Sequence, residues 1–462
     1  MNRTCKVALL LAAGAVGISL AASAQKQQPG AIAPPPRAEL GPQRRRISLR
    51  EALQLAAEQS PDVASARATA AIAEASVRRA WTAWQPDVTA TGTFDHTNGI
   101  SVVDFRPLVT ALGHPELAAD PRFAPTTIVA QNSRYATLQL NQPLLTPQGL
   151  FLPGVANSSA EAALRGFDEA REQVLLNVAR NYLALQGLEG LLEAAREAEK
   201  VALRREQDAR ARIAAGTDVE IALLRAQTET ARARAQIANI QGQKDSTLPV
   251  LEALVGEPID PLPARIEDFG PSGEEAASPW ENAYSVKSAI AAANAAQKSV
   301  RLAQFLWLPT VSGIARENYN SNAGFAGKDW IYDLILTVSV PIYDRGVRYA
   351  QLHEDQARLA RAQADLATVR ARARSNWIGA RANLVAADAV LRQSESQSQL
   401  ATRAQAQVDA SYRAGVATSL DVSVADQEKF AAQSTAAQAR AQLEIRRAEL
   451  AAAAGRLYES SR

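Results

Sequence analysis

A short stretch of this sequence occurs twice, and the repetition constrains the fold more than any other feature. Residues 76–88 read SVRRAWTAWQPDV and residues 299–311 read SVRLAQFLWLPTV, so that Pro86 and Pro309 lie 309 − 86 = 223 positions apart. In both copies an Ala-rich helical pattern ends at Trp-x-Pro, and alternating apolar and polar residues follow. Because proline cannot continue a helix and favours an extended residue before it, each copy predicts a switch from helix to strand. Two copies indicate a duplicated unit.

Four segments alternate in the manner of strands that have one apolar face and one polar face. They cover residues 87–95, 135–142, 311–318 and 330–340. In the clearest of them, 330–340, every even-numbered residue is apolar or aromatic, and Asp333 and Thr337 lie on the opposite face. Each segment is about ten residues long, which is the length of a tilted strand that crosses a bilayer.

Prolines and aromatic residues lie at the ends of these four segments. The prolines at the helical ends are Pro86, Pro143, Pro309 and Pro341, and they predict that the four helix–strand junctions lie at one level. The aromatic residues are Phe94, Tyr135, Tyr319, Trp330 and Tyr332. Aromatic side chains concentrate where a membrane meets water, so these five predict a membrane-interface girdle.

Two long helical patterns follow the strand pairs, and each leads to a glycine and a second helical pattern. The first runs from Pro143 to Gly216 and the second from Pro341 to Gly415. Their apolar positions correspond with a shift of 199 residues and step by 11, 7 and 7: Phe167, Val178, Leu185 and Leu192 in one, Leu366, Trp377, Leu384 and Leu391 in the other. Sixty helical residues extend about 90 Å, which predicts long antiparallel coiled-coil hairpins. Gly216 and Gly415 are expected to close the hairpins at positive φ.

The remaining sequence divides the chain and narrows its function. Residues 1–24 read as a secretory signal peptide and residues 25–46, rich in Pro, Gln and Arg, as a disordered linker. We expect a first repeat over 47–256, a linker over 257–279 and a second repeat over 280–462. The 50 basic and 48 acidic residues nearly balance, which gives no basic bias for nucleic acid. The three histidines lack partners at metal spacing, and no nucleotide or nucleophile motif is present, so we expect no metal, no cofactor and no enzyme activity.

Four strands cannot close a barrel alone. An open sheet edge in lipid leaves unpaired backbone groups that cost several kcal/mol each. Either several chains complete one barrel, or the chain is not a membrane protein. In the second case it is a structural periplasmic coiled-coil protein or an adaptor, although an adaptor should carry one helical hairpin and this chain carries two.

At this point the sequence resembles the TolC-type outer-membrane efflux protein family. The resemblance rests on the duplicated plan, on ARATAAIAEASVRRAWTAWQPDV at 66–88, on SVPIYDRG at 339–346 and on YRAGVATSLDVSVAD at 412–426. It implies an α+β membrane protein that trimerises into a 12-strand β-barrel continuous with a 12-helix α-barrel. Such a homotrimer lies in outer-membrane lipid of a Gram-negative-type bacterium and extends into the periplasm.

The resemblance also implies a function and partners. The family supplies the passive, gated exit duct of a tripartite system, which receives small molecules from an inner-membrane pump of the RND, ABC or MFS type through a periplasmic adaptor (membrane fusion) protein. Protein secretion of type I and metal efflux are alternatives within the same fold. The hairpin tips at Gly216 and Gly415 are expected to contact the adaptor. The segment 99–131 is expected to face outward, and its sequence does not say whether it covers the pore.

Residues near the second tip match family positions that control the periplasmic entrance. The resemblance implies that Asp421 belongs to an acidic ring at a constriction, with Asp426 as the later acid. The alternative is an acid on the helix surface or in the first turn, where it matches the helix dipole. Tyr412 matches a tyrosine of the entrance lock, but the usual partner positions are Ala222 and Ala417 here. Asp218 and Glu220 are the substitutes that we expect.

Overall fold

The computed structural model describes residues 45–261, 278–322 and 328–458. The signal-peptide prediction and most of the disordered-linker prediction fall outside this range. The helices are α1 Leu49–Gln59, α2 Pro61–Trp81, α3 Arg106–Ala111, α4 Pro147–Ala214, α5 Glu220–Val255, α6 Tyr284–Gln304, α7 Val347–Arg413 and α8 Ser419–Ala453. The strands are β1 Arg45–Ile47, β2 Asp87–His96, β3 Ser101–Val103, β4 Thr126–Val129, β5 Asn132–Leu145, β6 Ile259–Pro261, β7 Thr310–Asn320 and β8 Trp330–Ser339. None of the described helices combines the length and the apolar character that a membrane-spanning helix needs.

The four long strands form one antiparallel sheet in the order β2-β5-β7-β8. This confirms the four strands that the alternation predicts. Each strand is continuous with a helix: α2 leads into β2, β5 into α4, α6 into β7, and β8 into α7. The helices pack in the corresponding order, α2 on α4, α4 on α6, and α6 on α7. Sheet and helices therefore form one continuous wall, with β2 and α2 at one edge and β8 and α7 at the other.

Pro143 departs from its expected place at a strand end. The strand that was expected over 135–142 extends from Asn132 to Leu145, and Pro143 lies inside it opposite Ser312. Proline is tolerated there because the ladder shifts register between Pro143 and Leu145. The junction itself is at Pro147, the first residue of α4, which follows the N-cap Thr146. Pro86 and Pro309 directly precede β2 and β7, and Pro341 follows β8.

The principal core surrounds the middle of α4. Leu175, Val178 and Tyr182 of this helix are fully buried against residues of α1, α5 and the chain's end. The Tyr182 hydroxyl donates a hydrogen bond of 2.9 Å to the Ile47 carbonyl oxygen. Ile47 belongs to β1, which pairs in parallel with β6. Arg45 and Arg46 also lie in β1, so the prediction of disorder up to residue 46 is wrong at its end.

The two long helices differ in how well one chain covers them. Val178, Leu185 and Leu192 of α4 are buried, because α4 contacts α2, α5, α6 and α8. At the corresponding positions of α7, Leu366, Leu384 and Leu391 are only half-buried, and Trp377 alone is buried. The helix α7 lies at the edge of the wall, so one of its faces is without a packed neighbour in the part of the chain that the structure describes.

Both helical hairpins turn at the glycines that the sequence indicates. Gly216 has a φ of 73° and Gly415 a φ of 77°. In each turn the next residue donates a backbone hydrogen bond of 2.9 Å across the helix end, from Thr217 to Arg212 and from Val416 to Ser411. Only glycine adopts positive φ at little cost, and the bonds satisfy carbonyl groups of the last helical turn.

Candidate functional site

The sheet has one continuous apolar face. The register aligns Val88, Leu140, Ala315 and Leu334 across all four strands. The apolar side chains of β8 are the most exposed of this face, with Tyr332 at 76% and Leu334 at 77%. None of the residues that the structure describes covers them, as expected for a face that contacts lipid.

The opposite face is polar, and its side chains are joined across strands. The Arg316 Nε donates to the Gln139 Oε1 at 3.2 Å. The Thr137 hydroxyl donates to Asn318 at 3.1 Å, and the Asn318 amide donates to Asp333 at 3.3 Å. These bonds link β5, β7 and β8, so the face suits an aqueous lumen.

Four of the five expected interface aromatics share the apolar face, and Tyr135 does not. Tyr319 and Trp330 are cross-strand partners whose ring centroids lie 4.9 Å apart. Tyr135 is level with Thr93 and Asn320, on the polar face. Its place in a lipid-facing girdle is therefore wrong, because one residue along a strand reverses the side to which a side chain points.

The segment between β2 and β5 is folded. The strands β3 and β4 pair within it, and the Asn322 amide donates to the Ile128 carbonyl oxygen at 2.8 Å, which ties the segment to the β7–β8 turn. Hydrogen bonds from the Arg122 side chain, and secondly from its backbone, lower the pKa of Asp120 to about 2. This segment lies at the strand ends remote from the hairpins.

At the hairpin ends, Arg205 of α4 connects the two hairpins. Its guanidinium forms ion pairs with Asp409 of α7 at 2.5 Å and with Asp426 of α8 at 3.2 Å. The Gln405 amide also donates to Asp426, at 2.8 Å. Burial by itself lowers the pKa of Arg205, but the two carboxylates outweigh it and raise that pKa above its ordinary value. All three charged side chains are at most 21% exposed.

Asp421 and Asp426 have different surroundings. Asp421 is exposed and forms a capping box, in which its carboxylate accepts from the Thr418 hydroxyl at 2.7 Å and the Thr418 N–H at 2.8 Å. These bonds, the hydroxyl first, lower the pKa of Asp421. Asp426 is half-buried and held by Arg205. Asp421 therefore lies in the first turn of α8 with its carboxylate at the surface, which agrees with the alternative interpretation of its sequence position.

Tyr412 contacts an arginine of the other hairpin. The Arg212 guanidinium lies over its ring, 4.5 Å from the centroid. Asp218, an expected partner, accepts from the adjacent Val219 N–H at 2.9 Å instead. Within the described chain, Tyr412 has no hydrogen bond to Asp218 or Glu220. Ala222 is buried, at 5% exposure.

Sequence reasoning missed Arg205, Arg212 and Asp409. Arg205 and Arg212 are two of many arginines on α4, so nothing in the sequence distinguishes them. Asp409 offered a weak signal. It lies 409 − 391 = 18 residues after Leu391, one heptad plus one eleven-residue step along the apolar stripe of α7. A carboxylate at a packing position needs a partner, and Arg205 supplies one.

A cleft of about 860 Å³ lies between the hairpins near the same end. Small residues of α4, among them Ala195, Ala198 and Ala202, line it together with side chains of α5 and α8. The Gln427 amide crosses from α8 to Glu229 of α5 at 2.9 Å. No group of three or more His, Cys, Asp or Glu residues in the described chain is placed to hold a metal ion.

A family model described as outer membrane efflux protein matches residues 52–257 and 280–456, which is most of the chain. The chain belongs to the outer membrane efflux protein family. As a family member it is an outer-membrane protein that serves as an efflux duct of tripartite systems, and at the family level it is a channel and not an enzyme. No curated protein matched the sequence.

Solved structures give this efflux protein the same fold at low sequence identity. The outer membrane protein VceC from Vibrio cholerae is 21% identical, with a TM-score of 0.70 over 88% of this chain and 96% of that one. CusC is 16% identical, with a TM-score of 0.74 over 93% and 98%. The open state of the Neisseria gonorrhoeae MtrE channel is 16% identical, with a TM-score of 0.70 over 88% and 89%.

Proposed function

We propose that three copies of this efflux protein close a twelve-stranded barrel and a helical barrel continuous with it. The observation that carries the proposal is that β2 and β8 are the two edges of a sheet with a lipid-compatible face. Unpaired edges in lipid cost several kcal/mol for each backbone group. Since β2 and β8 run antiparallel to each other, the β8 of one copy can pair with the β2 of the next. Three copies of four strands then give a closed ring.

The helices support the same assembly. The exposed face of α7 lies at one edge of the wall, and α2 lies at the other. Closure of the ring brings α7 against α2 of the next copy and covers the half-buried stripe of Leu366, Leu384 and Leu391. Apolar surface that one chain leaves exposed at a regular spacing favours a partner with the same spacing. The tandem arrangement also supports two repeats over 47–256 and 280–462.

In our proposal the complex is the passive exit duct of a tripartite system and carries small molecules. A periplasmic adaptor docks at the hairpin tips, and an inner-membrane pump supplies the energy. Ile221 and Leu420, which correspond under the 199-residue shift, are 54% and 50% exposed just after the two tips. Exposed apolar residues at both tips suit contact with a partner protein.

We further propose that the entrance is held closed by contacts at the hairpin ends. Arg205 connects α4 with α7 and α8, and Arg212 holds Tyr412. Three Asp421 carboxylates around the axis make the entrance favour cations, because like charges at a constriction focus their potential. Asp426 contributes through Arg205 and not as an open carboxylate.

The duct is tested by mass and by conductance. The outer-membrane fraction is solubilised, and the mass of the detergent complex is measured with the bound lipid and detergent subtracted. We expect three protomers, and we expect pores when the complex is added to planar bilayers. A monomer in the soluble periplasmic fraction would instead favour a structural coiled-coil protein.

A further inference from the structure

The level at which strands become helices carries an aromatic contact between the two repeats. Phe151, in the first turns of α4, stacks on Phe305, which directly follows α6. The ring centroids are 4.3 Å apart and the planes differ by 3°. Since α4 continues β5 and α6 precedes β7, this stack joins the first repeat to the second where the sheet meets the helices.

The duplication places an equivalent boundary between neighbouring copies. There the second repeat of one copy, with β8 and α7, meets the first repeat of the next, with β2 and α2. The position equivalent to Phe305 is 305 − 223 = 82, and the position equivalent to Phe151 is 151 + 199 = 350. Both are small residues, Thr82 and Ala350, but an aromatic residue directly precedes each one, Trp81 and Tyr349.

These two aromatic residues are exposed in the single chain. Trp81 is 53% exposed at the end of α2, and Tyr349 is 62% exposed at the start of α7. The turn before α7 adds Ile342 at 93% and Tyr343 at 84%. Phe305 of the stacked internal pair is 40% exposed, less than any of these four side chains, so the most exposed set lies at the boundary that a neighbouring copy would complete.

The turn that presents Ile342 and Tyr343 is held rigidly from within. The Asp344 carboxylate accepts from the Arg348 Nε at 2.8 Å and from the Gly346 N–H at 3.2 Å. The Arg348 guanidinium also donates to the Pro341 carbonyl oxygen at 3.0 Å. Arg345, at a φ of 61°, is the sole described non-glycine residue with positive φ, and Gly346 follows at 83°. A turn ordered at this cost presents its apolar side chains in a defined direction.

We propose that Tyr343 and Tyr349 of one copy form an aromatic contact with Trp81 of the neighbouring copy and so seal the ring where the barrel meets the helices. The partner in this contact is a second copy of this chain. The contact would continue the pairing of the sheet edges β8 and β2, and it would repeat between copies the boundary that Phe151 and Phe305 form within one chain. The inference rests on the proposed trimer and adds the residues that join its protomers.

Cysteine pairs test the contact directly. The single cysteine of the chain is Cys5, so Cys5→Ser provides a background without thiols. In that background, Trp81→Cys with Tyr343→Cys, or Trp81→Cys with Tyr349→Cys, should give covalent dimers and trimers on oxidation. The matched control is Ile72→Cys with Tyr343→Cys. Ile72 is also exposed on α2 but lies nine residues, about 13 Å, further along the helix, and it should give no cross-link.

The outcomes separate this inference from the proposed duct. Cross-links at 81 with 343 or 349 and none at 72 support the contact. A trimeric mass without cross-links at either pair overturns the contact and leaves the duct intact, whereas a monomeric mass overturns both. Brominated lipids test the alternative that lipid, and not a neighbouring copy, covers Trp81. If they quench the fluorescence that Trp81→Phe removes, Trp81 faces lipid and the contact is wrong.

Discussion

Arg205 and Asp409 form an ion pair of 2.5 Å, although they lie 204 residues apart in the chain. The same guanidinium reaches Asp426 at 3.2 Å, so one side chain of the first hairpin holds both helices of the second. Both carboxylates belong to the hairpin that carries Tyr412 and Asp421. In the proposed duct we therefore expect the relative position of the two hairpins at the entrance to depend on Arg205.

Replacement of Arg205 by glutamine should loosen the entrance. The loss of two charge-assisted contacts, each about 1–2 kcal/mol, weakens the docking of α7 and α8 on α4 and should raise the conductance of the closed channel in planar bilayers. Arg210→Gln is the matched control, since Arg210 pairs with Glu206 of its own helix. Equal conductance of the Arg205→Gln variant and the unaltered protein would show that Arg205 does not help to hold the entrance closed.

Asp421→Asn separates charge from capping. An asparagine oxygen still accepts from the Thr418 N–H and hydroxyl, so the start of α8 should remain intact and the thermal unfolding midpoint should stay close to that of the unaltered protein. Cation preference, measured as the reversal potential under a salt gradient, should fall. Asp421→Ala should lower both properties. A reversal potential that Asp421→Asn leaves unchanged would remove Asp421 from the constriction.

The seam between α4 and α8 should not tolerate a larger residue at Gly187. A Cβ there would lie 2.7 Å from the Ala441 Cβ, so Gly187→Ala forces the helices apart and should cost about 1–3 kcal/mol. A Cβ added to Gly242 of α5 would meet no atom within 4 Å beyond its own stretch of helix. Gly242→Ala should therefore be neutral or stabilise by about 0.5–1 kcal/mol. Circular dichroism melts in detergent would rank the two variants, and the reverse order would contradict the close approach.

Glu449 should make the stability depend on pH. Burial by itself raises the pKa of Glu449, but hydrogen bonds from Arg446 and Arg180 outweigh it and hold that pKa below its ordinary value of 4.5. Because the folded-state pKa is the lower one, the stabilisation is complete above pH 4.5 and disappears as the pH falls through the folded-state pKa. The melting temperature of Glu449→Gln should lie below that of the unaltered protein at pH 7, and the two should converge in acid.

A surface pair provides the comparison for Glu449. Glu395 pairs with Arg440 at 2.9 Å, but the two side chains are 38% and 62% exposed. Glu395→Gln should change stability by less than about 1 kcal/mol. A pH-independent difference between Glu449→Gln and the unaltered protein would mean that the lost contact is packing and not charge.

The junction between β5 and α4 should depend on Trp84. Its indole N–H donates to the Gly149 carbonyl oxygen at 2.5 Å, and its ring leaves a Cβ at Gly149 only 2.9 Å away. Trp84→Phe keeps much of the ring and should cost about 0.5–1.5 kcal/mol through the lost hydrogen bond. Gly149→Ala should cost more, because Thr146 and Trp84 both crowd the added methyl group. Melting temperatures that rank the two variants the other way would contradict this arrangement.

Local periodicity explains why so much of this fold can be predicted. The four strands and the two long helices each have a local hydrophobic pattern, with a period of two residues in the strands and of about 3.6 in the helices. A glycine marks each hairpin turn. The repeat then indicates that the two halves share one plan.

The sequence by itself determined which segments become strands and which become long helices, and that the chain contains two repeats of this arrangement. Only the tertiary structure decided that Pro143 lies within its strand and that Arg205 pairs with Asp409. The extent of β5 depends on its neighbour β7, because Pro143 remains in the ladder only where the register shifts before Leu145. The partner of Arg205 depends on how two hairpins pack across 204 residues, because many arginines on α4 have the same local pattern and only one of them lies between Asp409 and Asp426.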